Sequence, residues 1–393
     1  VSGAAAGASG DAGAVGAPAA SAFDAYLSSF GEEPGYLNFA SYGPPSHAVA
    51  ETTAGLLATA ITGAPGASER MHGEDLRARG AFARLSGFGV DAVSLVPHTS
   101  LGLFQVAFGI TGGTVLVGRS EFPANLYPWL RANQVGLSDA QLIGAVGEPV
   151  TPDVVARALT PEVTAVTVSA VDFRTGFRAD LAGIRDVIGR DRLLVVDGIQ
   201  GFGVIEQPWA LADALVVGGQ KWLRAGWGAG ALAFSDAGLD RIRPVLGGWT
   251  GVEHPSHYDG TEHPLRGDAL AFGISNLSPF ATGSFATALE LVESATVTSI
   301  EARIADTVDL LIAALAEVGI VPASPRDREL RAGIVAVPLG GAGGRAAAAA
   351  HAALAAHGVT TTLHGTDRIR IAVHATTDPA VFTTVAKTLG EFV

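Results

Sequence analysis

Seven short runs of β-branched or apolar residues succeed one another from residue 93 onward: Val93–Val96, Thr114–Val117, Gln141–Gly144, Ala165–Ser169, Leu193–Val196, Ala214–Val217 and Gly230–Phe234. Each ends in Gly, Pro or a polar residue and most are separated by helix-length segments, the pattern of βαβ units. Several are continuously apolar instead of alternating, as in strands buried on both faces of a largely parallel sheet. An α/β fold with a mostly parallel seven-stranded sheet is therefore expected. Ligands of such sheets settle beyond the carboxyl ends of the strands, so the polar residues just after each run are the first candidates for chemistry.

After about Arg243 the pattern changes to a Gly-, His- and Pro-rich connection, GGWTGVEHPSHYDGTEHPLRGD. A long helical stretch near Phe285–Val318 follows, then strands alternating with helices up to a final helix at Asp378–Phe392. The expected organisation is a disordered leader at 1–22, a large domain at 23–265 whose N-terminal part is free to pack on the small domain, and a smaller C-terminal α/β domain at 266–393. The alanine-rich segment GGAGGRAAAAAHAALAAHG keeps helical spacing and a Gly stop, and is read as a helix.

Composition removes several function classes. The 25 Lys and Arg against 38 Asp and Glu leave a net charge of −13, which argues against nucleic acid or an anionic membrane as partner. No apolar run reaches the roughly 18 residues that a membrane span requires. The opening residues VSGAAAGASGDAGAVGAPAAS have neither a basic n-region nor a leucine-rich h-region, so a signal peptide is not expected and the default location is cytoplasmic. There is no cysteine, hence no disulfide, thiolate metal site, iron–sulfur cluster or cysteine nucleophile in these residues.

Two strand ends carry a coherent chemistry. The run Leu193–Val196 leads into Asp197-Gly198-Ile199-Gln200, and Ala214–Val217 leads into Gly218-Gly219-Gln220-Lys221-Trp222. A carboxylate beyond one buried strand and a lysine beyond the next is what a pyridoxal phosphate enzyme requires. The amine condenses with the cofactor aldehyde, while the carboxylate keeps the pyridine nitrogen protonated so that the ring accepts electrons from Cα. Upstream, Pro97-His98-Thr99-Ser100 leaves the first strand and enters a helix, offering backbone N–H groups and two hydroxyls to an anion.

In these motifs, taken in order from about Leu37 to the C-terminus, the sequence resembles the class V aminotransferase group of fold-type-I pyridoxal phosphate enzymes, in its cysteine desulfurase and isopenicillin-epimerase-like branch. Val195-Val196-Asp197-Gly198-Ile199-Gln200-Gly201 is similar to the V-D-[AG]-x-Q-[GAS] signature. The resemblance implies Asp197 on the pyridine nitrogen and Gln200 near the phenolic oxygen. Gln220-Lys221-Trp222-Leu223 stands where the family has its Schiff-base lysine, which implies Lys221 as the catalytic residue with Gln220 beside it. Thr99 and Ser100 match the phosphate-binding hydroxyl pair. Glu121-Phe122-Pro123-Ala124-Asn125 occupies the E-H-x-A-N segment, with Phe122 in place of the stacking histidine: a face remains but a proton donor is lost.

Arg368-Ile369-Arg370-Ile371-Ala372-Val373-His374 is similar to L-R-[IVA]-S-x-H, whose arginine grips the substrate α-carboxylate; register implies Arg370. The Gly-Thr with which a neighbouring subunit completes the phosphate cup corresponds to Gly273-Ile274-Ser275-Asn276, leaving Ser275 as the substitute. Gly218 and Ile274 stand where hydroxyl donors are implied, so a phosphate cup with fewer donors and weaker cofactor binding is expected. The resemblance also implies a homodimer and an amino-acid substrate. Persulfide chemistry on an active-site cysteine is excluded by composition. Transamination comes first, because it needs no further group. A carbon–sulfur lyase or an amino-acid epimerase is the alternative, and a non-catalytic scaffold comes last.

Other groups carry less. The ten histidines include no HExxH pair, and His254, His257 and His263 lie in a Pro/Gly-rich loop read as solvated, so no metal is expected. Trp227 and Trp249 are equally placed to line a substrate mouth or to pack. Arg174 and Arg178, flanking Thr175-Gly176-Phe177, are read first as surface ion-pair partners and second as ligands of an acidic substrate group. The glycine runs lack a strand–GxGxxG–helix context, so a dinucleotide site is not expected. Side-chain selectivity is assigned to loops such as Ser41–Pro45 and Gly247–His257.

Overall fold

The computed structural model describes residues 21–340 and 345–393. Strands β1 (Val93–Val96), β2 (Thr114–Gly118), β3 (Asp139–Ile143), β4 (Val163–Ser169), β5 (Leu193–Asp197), β6 (Ala214–Gly218) and β7 (Gly230–Phe234) form one sheet, in the order β1-β7-β6-β5-β4-β2-β3. From β3 to β6 neighbouring strands pair in parallel, whereas β7 is antiparallel to both β6 and β1. All seven expected strands are present, β1 and β7 with the expected bounds and the others with ends shifted by one or two residues. The apolar runs β5, β6 and β7 are buried at every position, which accounts for their lack of alternation. The edge strand β3 shows an exposed-to-partly-buried alternation along Asp139-Ala140-Gln141-Leu142 and starts two residues before the expected Gln141.

The helices His47–Thr62 and Ala67–Ser86 pack against the helix Pro279–Ala295. Hydroxyls of Thr53 and Ser284 meet at 2.8 Å, Arg77 forks onto Glu290, and Arg84 pairs with Glu293 at 2.6 Å. The stretch expected as one helix near Phe285–Val318 is two, Pro279–Ala295 and Val297–Glu317. Thr296 breaks it, with φ 65°, and its hydroxyl accepts from the Ser299 N–H to cap the second helix. The last helix spans Val381–Gly390, shorter at both ends than expected.

Residues 1–20 of the expected leader lie outside the described residues. Its last two do not behave as a leader: Ser21 caps the helix Ala22–Ser28 in a reciprocal capping box with Asp24, and Ala22 is that helix's first residue. In the alanine-rich segment the helix covers Arg345–Ala356, and residues 341–344 lie outside the described residues.

A second, antiparallel sheet contains β8 (Ile334–Pro338), β9 (Thr362–His364) and β10 (Arg368–Ala372), in the order β8-β10-β9. The N-terminal segment joins it through bridges Tyr36–Thr360 and Asn38–Ala372. Ile369 and Ile371 enter a buried cluster that runs without interruption through Phe39 and Trp222 to Val196 and Val217 of the large sheet. Alternation along β10 then turns Arg370 to the opposite face. Among the described residues no helix is long and apolar enough to cross a membrane.

Candidate functional site

A cavity of about 330 Å³ opens beyond the carboxyl ends of β1, β2, β5 and β6. Its size suits a small-molecule site. Five elements contribute to it. Thr99 and Ser100 begin the helix Thr99–Gly109 that follows β1, Phe122 precedes the helix Pro123–Gln134 that follows β2, Asp197 ends β5, Gln220 and Lys221 follow β6, and Arg370 reaches in from β10.

At the anion end, His98 caps the helix by accepting the Leu101 N–H on Nδ1 at 3.1 Å. The N–H groups of Thr99 and Ser100 have no acceptor within the helix. The Thr99 hydroxyl is buried on this wall without a hydrogen-bond partner. A free hydroxyl next to free helix N–H groups is a cradle for a phosphate. Gly218 changes meaning here: a Cβ at that position would lie 2.5 Å from Thr99 Oγ1. Thr99 therefore leaves no room for a side chain at 218.

Asp197 is buried and accepts the Ile199 N–H at 3.0 Å. Burial raises its carboxyl to about 6, against the pull of that N–H and of the Lys221 charge. Burial lowers the Lys221 amine to about 8; Asp197 opposes this and the Arg370 charge adds to it. The Lys221 Nζ stands 5.2 Å from the centroid of the Phe122 ring. Only two lysines occur in the chain, and the other, Lys387, is exposed on the last helix. Labelling with an amine reagent is therefore expected to report Lys221 cleanly: its rate rises through a midpoint near pH 8 as the neutral amine forms, read by peptide mass mapping. A midpoint near that of an ordinary lysine would contradict the buried placement.

Arg370 is 5% exposed. Its Nη1 donates to the Phe173 carbonyl at 2.9 Å and its Nη2 to the Ser41 hydroxyl at 2.7 Å, while Nε has no partner. Among the described residues no carboxylate pairs with it, and burial alone lowers it to about 10. A buried cation without a counter-ion is costly unless an anion joins it. By contrast, the equally buried Arg224, three residues after Lys221, is ion-paired with Glu32, donates to the Pro44 carbonyl at 2.6 Å and lies 3.6 Å over the Phe30 ring. It ties the lysine loop to the N-terminal segment.

Two expected site residues are placed elsewhere. Gln200 is not on the cavity wall: its amide nitrogen donates to the Ala40 carbonyl at 3.0 Å and its oxygen accepts from the Trp222 indole at 2.7 Å. It braces the floor behind Lys221. Within the single chain Ser275 lines a separate cavity of about 420 Å³ with His72, Arg79 and Trp249. The loop Gly247–His257 borders that second cavity, whereas Ser41 and Trp227 border the first. Arg174 pairs with Asp172, and Arg178 with Glu301; the ion pairing read from sequence is present, but these side chains are largely buried and not on the surface. His263 hydrogen-bonds Asp259 at 3.1 Å, and no metal-binding group of three or more acids and histidines is present among the described residues. The sequence reading omitted His98 and Ser41 as site residues, and also Glu121. Glu121 is half-buried beside Phe122 and accepts from the Ser169 N–H at 2.9 Å and the Ser169 hydroxyl; desolvation raises its carboxyl to about 7.

The aminotransferase class-V family matches residues 90–367. A kynureninase of Deinococcus radiodurans is 29% identical over 188 residues, 46% of this chain and 44% of the relative. An uncharacterized aminotransferase of Bacillus subtilis strain 168 is 28% identical over 190 residues, 47% of this chain and 50% of the relative. The chain thus spans about half the length of the curated relatives it matches. Among solved structures, the apo form of a cysteine desulfurase from Thermococcus onnurineus superposes with a TM-score of 0.80 at 18% identity, over 91% of this chain and 94% of that one. At that identity the likeness speaks for the fold.

Proposed function

Because this chain belongs to the aminotransferase class-V family, whose cofactor is pyridoxal phosphate, we propose that it acts at the α-carbon of an amino acid and that its reaction is transamination. The observation that carries this reading is the buried pair of strand-end groups, Lys221 and Asp197, beside an unpaired Arg370 in one cavity. The residues fit the cofactor: the partnerless Thr99 hydroxyl and the helix N–H groups suit its phosphate, Asp197 its ring nitrogen, Phe122 its ring face and Lys221 its aldehyde. When bound, pyridoxal phosphate supplies a sink for the electrons released at Cα.

The chain's own residues supply the rest. Arg370 holds the α-carboxylate, and its bonds to Ser41 and Phe173 fix the orientation of the guanidinium. Lys221, neutral in a substantial fraction near pH 8, is the group that takes the Cα proton and returns it. Asp197 is ionised above about pH 6 and would hold the protonated ring nitrogen of the bound cofactor. Phe122 brings no proton donor, and His98 has its Nδ1 occupied as a helix cap. Lys221 is therefore the single poised base, which favours proton transfer on one face over epimerisation by two bases. Persulfide transfer on a cysteine has no nucleophile in these 393 residues. A carbon–sulfur lyase uses the same groups and is the second reading.

Incubation with an amino donor plus pyruvate or glyoxylate is expected to yield the donor's keto acid and a new amino acid in equal amounts. Ammonia and a keto acid formed without any acceptor would establish the lyase instead. The working form we propose is a cytoplasmic homodimer, with Ser275 of each copy turned toward the other's site. Analytical ultracentrifugation at micromolar concentration should then give twice the chain mass.

A further inference from the structure

Apart from Gln220, the polar groups of the Lys221 cavity have a use in the reading above, so most of the wall left for an amino-acid side chain is aromatic or apolar. Trp227 lines the cavity while remaining 67% exposed, which places it at the mouth. Its ring stacks on Tyr42, with centroids 5.5 Å apart and planes 13° from parallel. Phe122 shares the wall and meets Phe173 edge-on at 5.0 Å. Trp227 is held between two glycines in left-handed conformations, Gly226 at φ 75° and Gly228 at φ 103°. Such backbone is strained for other residues, so this turn is built to carry the indole outward. Tryptophan is highly buried on average, and an indole kept in water at the rim of a cavity marks a contact surface for a ligand. The arginines that could recruit an acidic side chain, Arg174 and Arg178, are paired with Asp172 and Glu301.

We propose that Trp227 and Tyr42 form an aromatic platform that selects substrates with a planar, uncharged side chain, aromatic amino acids above all. The inference rests on the reading in which Arg370 takes the α-carboxylate. The substrate then spans from Arg370 inside to the indole at the rim, and the platform contributes offset stacking on top of simple area burial.

Binding of carboxylates that lack an amino group tests this apart from any turnover. Titration calorimetry on the cofactor-loaded protein and on the apo-protein would compare 3-phenylpropionate, butanoate and succinate. The aromatic acid is expected to bind about tenfold tighter than butanoate, and succinate no tighter than butanoate. Trp227→Ala should weaken 3-phenylpropionate by about 5- to 10-fold and leave butanoate unchanged, while Trp227→Phe keeps most of the preference. Arg370→Ala should weaken all three. Equal losses for 3-phenylpropionate and butanoate in Trp227→Ala would overturn the platform. So would a variant whose sedimentation changes while its carboxylate preference does not, because the indole would then serve a contact between copies. Selective loss in Trp227→Ala combined with no effect of Arg370→Ala would leave the platform standing and remove the carboxylate assignment.

Discussion

Lys221→Ala is expected to lower turnover of any accepted amino acid by about 10⁴-fold, the upper end of what loss of a positioned base produces, because the same change removes the cofactor's covalent anchor. Lys387→Ala should leave turnover unchanged. Borohydride treatment of the cofactor-loaded protein should fix the label to the Lys221 peptide and to no other. A stability measurement adds an independent sign. Burial lowers the Lys221 amine from its ordinary value of about 10.5 to about 8, so below about pH 8 the folded protein carries a buried ammonium that the unfolded chain keeps in water. Between about pH 8 and 10.5 the unfolded chain binds more protons, and apo-protein stability rises with pH across that window. Lys221→Met should therefore stabilise the apo-protein at pH 7, by on the order of 1–3 kcal/mol, while it destroys activity. A variant that lost stability and activity together would mean that the lysine is a packing residue.

The second large effect is expected at a residue outside the cavity. Glu32→Ala leaves Arg224 buried without its counter-ion, and breaking such a pair from one side costs about 3–5 kcal/mol. The two side chains are 9% and 1% exposed, so water cannot replace the lost charge. Urea unfolding should show the midpoint falling, and Glu32→Ala combined with Arg224→Leu should recover a large part of the loss, since removing both charges removes the unpaired one. The pH dependence has a definite direction. Burial pushes the Glu32 carboxyl up, but the hydrogen bond and charge of Arg224 together with the Thr376 hydroxyl hold it below its ordinary value. Its contribution is then complete above about pH 4.5 and is lost as pH falls through the lowered value. Arg224 itself has φ 60°, an uncommon conformation for a residue with a side chain, and its contacts with Pro44, Thr376 and Phe30 hold it there. Because Lys221 lies three residues before it, Glu32→Ala should also loosen the lysine loop and weaken cofactor retention.

The strand ends were readable in the sequence because burial leaves a plain trace: a continuous apolar run that stops at a polar residue. Asp197 and Lys221 stand at two such stops, and Thr99 and Ser100 just beyond another. What the sequence concealed was set by long-range closure. Ser41 hydrogen-bonds Arg370 across 329 residues of chain, and no local pattern around Ser41 announces it. Gln200 shows the opposite failure. It follows Asp197 closely enough to belong to the same motif, but the Trp222 indole and the Ala40 carbonyl occupy its amide, a competition visible only once the lysine loop and the N-terminal segment are packed together. The reason for a glycine at 218 was hidden as well, because the Thr99 hydroxyl that crowds it comes from another strand's end. Trp227 reads equally as mouth or core in the sequence, and only its exposure on the cavity wall places it at the mouth.

The helix Pro279–Ala295 belongs to the later half of the chain but rests on helices from the first quarter. During synthesis every strand of the large sheet is complete once Phe234 has left the ribosome, yet Thr53, Arg77 and Phe82 still lack the partner that covers them. A nascent chain halted near residue 265 would display that apolar and charged surface to chaperones and to other nascent chains. Separate expression of residues 23–265 should for the same reason yield aggregate, and supplying the remainder in trans is the condition under which it would stay in solution.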